Sequence, residues 1–308
     1  MITRRQTRLV RARDLRAMQH GIVAALPSGW EARDAAVIVP TRSAAEALRQ
    51  TMEDLVLRAA GALVPPNLVT RAGFYGALHE RAPGLPPLLT DFEREVLLRL
   101  SAEDAAGGGA EAPFRLRPGL VAAMLAFYDE LRRRRRTIDS FDRHLRERLE
   151  AGSETDRGAA RLLAQTLFLS SAFASFERRV ADSGGLDEHG LRALALARDL
   201  RCPYRHVVVA VADEAADPLG LWPCDFDLLA RVEGLERLEV VATERMLASG
   251  WHERVHDLLP GIEEVKVESV GVPVLLVPAE RPGMETAPYF VARDREEELM
   301  EAARWIKA

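Results

Sequence analysis

The sequence predicts an α/β fold: a parallel sheet carrying an all-helical insertion. Three observations predict it. Strand and helix patterns alternate through the first ninety or so residues. From Asp91 to about Asp199 the apolar spacing is helical almost throughout. Apolar strand runs then return at 206–211 and 238–243. These runs are continuous rather than alternating, as strands buried on both faces require.

Taken in order, 6–11 reads as a short strand and 15–26 as a helix. Ala35-Ala36-Val37-Ile38-Val39 is a continuous apolar strand that Pro40 ends. Ser43 is expected to cap the next helix, with Glu46 three residues on in capping-box spacing. Pro65-Pro66 breaks that helix, and Leu68-Val69-Thr70 forms a third strand. Units of this length imply parallel pairing with right-handed crossovers. Within the helical stretch, Phe92, Val96 and Leu100 share one face, and Leu120, Met124, Phe127, Tyr128 and Leu131 another. Leu162, Leu163, Phe168, Phe173 and Phe176 mark a third helix, with loops at Gly107-Gly108-Gly109 and at Gly152. Further strands fall near 265–270, 272–277 and 289–291, before a helix over 295–307 that Asp294 and Glu297 open. The expected organisation is an α/β core over 1–90 and 200–285, a helical insertion over 91–199, and the start of a second α/β domain over 286–308. A unit that begins there and stops abruptly reads as part of a longer protein.

With 308 residues, 48% of them hydrophobic, the chain can bury a sizeable core. The opening Met1-Ile2-Thr3-Arg4-Arg5 leads into no apolar signal region. No apolar run reaches the length of about 18 residues that a membrane span needs. Cys202 and Cys224 form no CxxC, which argues against a disulfide scaffold or a cysteine zinc site and for a reducing, cytoplasmic setting. A net charge of −5 excludes general polyanion binding, so any nucleic-acid surface must be local.

Asp213-Glu214 follows the strand that ends at Val211. Carboxylates there have the Walker B form, in which the Asp holds Mg²⁺ and the Glu orients the attacking water. Upstream, Val37-Ile38-Val39-Pro40-Thr41-Arg42-Ser43-Ala44-Ala45-Glu46-Ala47-Leu48 is a strand, a threonine turn and an alanine-rich helix. Asn67-Leu68-Val69-Thr70-Arg71-Ala72-Gly73-Phe74 is a strand followed by Thr and an aromatic. Read together and in this order, these segments resemble motif Ia, the next element, and the Asp-Glu-x-Gln-Asp motif of UvrD-type superfamily I helicases, with Ala216 in place of the Gln. Glu296-Glu297-Glu298-Leu299 with Ala303 and Ile306 is similar to the helix that opens that family's second domain. The resemblance covers most of the chain and implies a RecA-like sheet of the P-loop NTPase type.

One departure is decisive. Where the family has G-x-x-x-x-G-K-[ST], this chain has Leu9-Val10-Arg11-Ala12-Arg13-Asp14-Leu15-Arg16, without Gly, Lys, Ser or Thr. Backbone N–H groups cannot wrap a triphosphate there, and no lysine reaches the β- and γ-phosphates. ATP is therefore not expected, and Asp213 and Glu214 are relics or a weak Mg²⁺ site. A helicase-like domain without this loop resembles the AddB/RecC-like class of helicase–nuclease subunits. That resemblance implies a non-hydrolysing domain of a bacterial DNA-repair protein that holds single-stranded or forked DNA, with a partner helicase subunit. It implies no catalysis by this stretch, and a nuclease or helicase subunit for the full-length protein. It places Thr41, Arg42, Thr70 and Arg71 against the DNA backbone.

Arg132-Arg133-Arg134-Arg135-Arg136 would extend that surface, since counterion release rewards clustered positive charge. The plainer alternative is a solvated helix end paired with nearby acids. His252-Glu253-Arg254-Val255-His256 is a literal H-E-x-x-H, which puts two imidazoles on one helix face beside a general base and suggests a zinc metallopeptidase as the alternative function. A short helix and no third-ligand pattern count against it. Asp257 with Glu264-Val265-Lys266 has a restriction-nuclease form that an alternating strand explains better. A pure interaction scaffold for a partner helicase is the third alternative.

Overall fold

The apolar runs pair into one six-stranded, all-parallel sheet in the computed structural model of the chain. The structure describes residues 5–57, 61–109, 112, 114–198, 200–211, 220–267, 300 and 303–304. Contacts gather Met1–Ser269 into one unit and Val270–Ala308 into another, and every element named below belongs to the first. The strands expected at 272–277 and 289–291, most of the closing helix, and Asp213 and Glu214 lie outside the described residues.

The strands are β1 (Gln6–Ala12), β2 (Ala35–Ile38), β3 (Asn67–Val69), β4 (His206–Ala210), β5 (Arg237–Thr243) and β6 (Glu263–Lys266). They lie in the order β3-β2-β4-β5-β1-β6, so β1 sits between β5 and the edge strand β6. Alternation along each strand sends neighbours to opposite faces. On one face Val10, Val37, Val208 and Val241 meet α1 (Leu15–Ala25) and α2 (Arg42–Met52). On the other, Leu9, Ile38, Val209 and Val240 meet α3 (Arg71–Glu80), α8 (Glu188–Ala197), α9 (Pro223–Arg231) and α10 (His252–Leu258). The sheet is thus covered on both sides, which is why β2 is buried at every position.

A second core is purely helical. It joins α4 (Asp91–Gly107), α5 (Pro118–Arg133), α6 (Ile138–Ser153) and α7 (Arg157–Asp182) around Leu98, Met124, Tyr128, Phe168, Phe173 and Phe176. The Tyr128 and Phe176 rings meet edge to face at 5.1 Å. Among the described residues, no helix is long and apolar enough to cross a membrane.

Four local expectations are corrected. The stripe Phe92, Val96, Leu100 faces outward, at 75%, 41% and 39% exposure, while Leu98, Ala102 and Ala105 are buried. Both stripes have helical spacing; the smaller side chains let α4 lie close against the long α7. The cap of α2 is Thr41, whose Oγ1 accepts the Ala44 N–H at 3.1 Å, and Glu46 pairs with Arg49 instead of closing a box on Ser43. Gly152 lies inside α6, one residue before its end. Finally, α8, expected within the insertion, also packs on the sheet, because Leu191 and Ala195 belong to the sheet's core.

Candidate functional site

At the carboxyl edge of the sheet, four strands run into helical turns capped by a side chain. Asp14 Oδ1 accepts the Ala17 N–H at 2.9 Å, and Thr41, Thr70 and Thr243 accept from Ala44, Gly73 and Met246 at 3.1, 3.3 and 3.3 Å. Such helix starts attract anions through their free N–H groups and dipole. At α1, where a phosphate loop would lead in from β1, the acceptor is already a carboxylate. Beside it, α1, α2 and the ends of β2 and β4 enclose a groove of about 320 Å³ lined mainly by Leu15, Met18, Ile22, Pro40, Leu48 and Val211. Such a lining offers a triphosphate nothing to replace its water. Arg13, Arg16 and Arg42 are exposed at this edge, with no ion-pair partner among the described residues.

The structure separates the four residues that resemblance assigned to DNA. Thr41 and Thr70 are caps, and Arg42 is free on the surface. Arg71 is 7% exposed and committed to protein. Its Nε and Nη2 donate to Asp225 at 2.7 and 3.0 Å, and its Nη1 and Nη2 to Glu188 at 2.8 and 3.0 Å. Four of its five N–H groups are thus taken by two carboxylates in the interior, so Arg71 is corrected from a DNA contact to a structural ion.

The arginine run is likewise divided. Arg133 donates to Glu188 at 2.8 and 3.1 Å, Arg132 lies 3.4 Å from Glu177, and Arg134 pairs with Glu130 at 2.8 Å while covering the Trp222 ring. Arg135 is 4.0 Å from Asp227, and Arg136 is exposed. The run is a helix end matched with acids, and little of it forms a free phosphate surface.

These ions belong to a larger buried network. Asp129 accepts from Arg94 at 3.2 Å and lies 2.9 Å from His189 Nε2; Arg192 reaches His189 Nδ1 at 3.1 Å and the Tyr75 hydroxyl at 3.3 Å. With Arg192 donating to Nδ1, the His189 proton sits on Nε2, facing Asp129. Tyr75 in turn donates to Asp225 at 2.7 Å. Burial would raise the Glu188 carboxyl, but hydrogen bonds from Arg71 and Arg133 outweigh it and hold it far below the carboxylate range. Burial first, and Asp225 second, push the Cys224 thiol up to about 12, so it is no nucleophile.

The H-E-x-x-H segment forms α10, and its histidines do converge. Their rings lie 4.7 Å apart, and His252 Nε2 and His256 Nε2 approach Glu264 Oε1 at 2.7 and 2.9 Å. Gly261, at φ 79°, turns the chain so that β6 returns under the helix with Glu264 in place. Arg11 donates to Glu264 Oε2 at 2.7 Å and is itself held by Glu244 at 3.1 and 2.7 Å. Hydrogen bonds from Arg11, then from His252, hold the Glu264 carboxyl down at about 2. Glu253 is exposed and outside this cluster. Among the described residues this is the one place where three metal-ligating side chains converge.

No protein-family model and no curated protein matches the chain. Sequence reasoning missed the roles of Arg11 and Glu244 and all of the ion network but the pairing of the arginine run with nearby acids, and it read Glu264 as part of an alternating strand. The network leaves no local pattern. Glu264 had one signal: it follows His256 by eight residues across Pro260-Gly261, the length of a tight helix-to-strand return.

Proposed function

We propose that the chain is a non-hydrolysing, helicase-like domain that holds single-stranded or forked DNA at the carboxyl edge of its parallel sheet, within a cytoplasmic DNA-repair helicase–nuclease. One observation carries the reading. At the β1–α1 turn a carboxylate, Asp14, occupies the helix start that a phosphate loop would use, while Arg13 and Arg16 beside it and Arg42 at the start of α2 are exposed, with no ion-pair partner among the described residues. A nucleotide is excluded from that cradle by charge, and a nucleic-acid backbone can still be met by arginines reaching outward. Asp213 and Glu214 are then relics of a nucleotide site.

Fluorescence anisotropy of a labelled single-stranded oligonucleotide, titrated at several salt concentrations, tests this. Log affinity should fall linearly with log salt, and each of Arg13→Ala, Arg16→Ala and Arg42→Ala should lower that slope by about one. Arg133→Ala should act on stability instead. No binding at low salt would end the reading for this chain.

A second reading, a scaffold for a partner helicase subunit, is favoured by the outward stripe of Phe92, Val96 and Leu100 on α4. DNA binding absent at every salt, together with subunit binding that Phe92→Ser removes, would move the assignment there.

A further inference from the structure

We propose that His252 Nε2, His256 Nε2 and Glu264 Oε1 bind one divalent transition-metal ion of the zinc class, which clips the edge strand β6 to α10. The donor set comes from two elements and meets at one point. His252 and His256 are one helical turn apart, so their rings project from the same face of α10. Both Nε2 atoms are aimed at the same oxygen of a carboxylate from a different element. Two imidazoles and one carboxylate form a donor set suited to zinc, cobalt or nickel rather than to calcium or magnesium.

The spacing is close to what an ion needs. Around a tetrahedral zinc with ligands at about 2 Å, donor atoms stand about 3.3 Å apart. Here the two nitrogen–oxygen separations are 2.7 and 2.9 Å, and all three ligand atoms lie within 4.8 Å of one another. Shifts of about half an ångström, well within the reach of half-exposed side chains, open the centre. The site also has an outer layer of the kind that orients metal ligands. Arg11 fixes Glu264 Oε2 and leaves Oε1 directed at the histidines, and Glu244 holds Arg11 and balances its charge. The third ligand is Glu264, while Glu253, the base of a peptidase reading, is exposed and outside the cluster. The clip has a mechanical consequence. β6 is four residues long, exposed along its length, and among the described residues pairs only with β1. A metal bond to α10 adds a second anchor.

The test uses cobalt(II) and zinc with the full chain, and does not depend on DNA binding. Cobalt should produce the visible bands of a low-coordinate nitrogen–oxygen site at one ion per chain, and zinc should abolish them. His252→Ala and His256→Ala should each weaken zinc at least about 100-fold, Glu264→Gln at least about tenfold, and Glu253→Gln not at all. Zinc should raise the melting temperature of the native chain and leave that of His256→Ala unchanged. Far-UV circular dichroism separates loss of a ligand from loss of fold, and His256→Gln supplies a gentler variant. No cobalt bands at millimolar metal, or an affinity unchanged in a folded His256 variant, would overturn the proposal.

Discussion

At the scale of single residues, the arginine run ends its helix at a cost. Arg135 has φ 61°, the one non-glycine residue with positive φ among those described. The hydrogen bonds explain it. Arg136 N–H reaches Leu131 O at 2.9 Å and Arg135 N–H reaches Arg132 O at 3.0 Å, the pair of bonds that closes a helix with a left-handed residue. An L side chain there costs about 1 kcal/mol, and glycine removes the cost. Arg135→Gly should therefore raise the urea midpoint, a gain of up to about 1 kcal/mol, because Arg135 is exposed and its ion partner among the described residues, Asp227, lies at 4.0 Å. A lower midpoint would mean that the arginine charge matters more than the backbone. The same scale limits what a sequence reveals. The threonines at 41 and 70 were singled out by resemblance as DNA contacts and prove to be caps, whose bonds span only three residues. Arg71 was misassigned because its partners lie 117 and 154 residues away, beyond any local pattern.

At the scale of elements, the strands were the legible part. The apolar runs at 35–39, 206–211 and 238–243 are the three innermost-lying stretches, and no amphipathic alternative competes for them. Helices were legible as helices but not in their facing, since α4 carries two apolar stripes and only packing against α7 decides between them. Nor was the allegiance of α8 legible. It carries Leu191 and Ala195 to the sheet and Glu188, His189 and Arg192 to the ion network, so one ten-residue helix serves both layers. Glu188 binds Arg71 of α3 and Arg133 of α5 together. Glu188→Ala leaves two interior guanidinium groups short of a partner and should cost about 3–5 kcal/mol in chemical denaturation. By contrast, Arg49→Ala, which breaks exposed pairs to Glu46 and Glu53, should leave the denaturation midpoint nearly unchanged. Equal effects would show that the network contributes no more than surface charge.

At the scale of the whole unit over Met1–Ser269, the helical core and the core on the facing side of the sheet meet at a seam that carries the ion network. Arg94 and Asp129 stand on the insertion side, Arg71, Tyr75 and Asp225 on the sheet side, and α8 between them. Dispersion and burial give each core its own stability, and the cost of exposing or orphaning these ions is expected to make them unfold together. That coupling has a natural pair of reporters. Trp30, Trp222 and Trp251 lie in the α/β layer and no tryptophan lies in the insertion, so the fluorescence of these three follows that layer. Far-UV circular dichroism follows the helices, a large share of which belong to α4, α5, α6 and α7. In the native chain the two signals should give one coincident transition. In Glu188→Ala they should separate, the layer with the weaker core melting first. Coincident transitions in that variant would place the coupling in the apolar contacts at the seam, and the ion network would then be a consequence of packing rather than its cause.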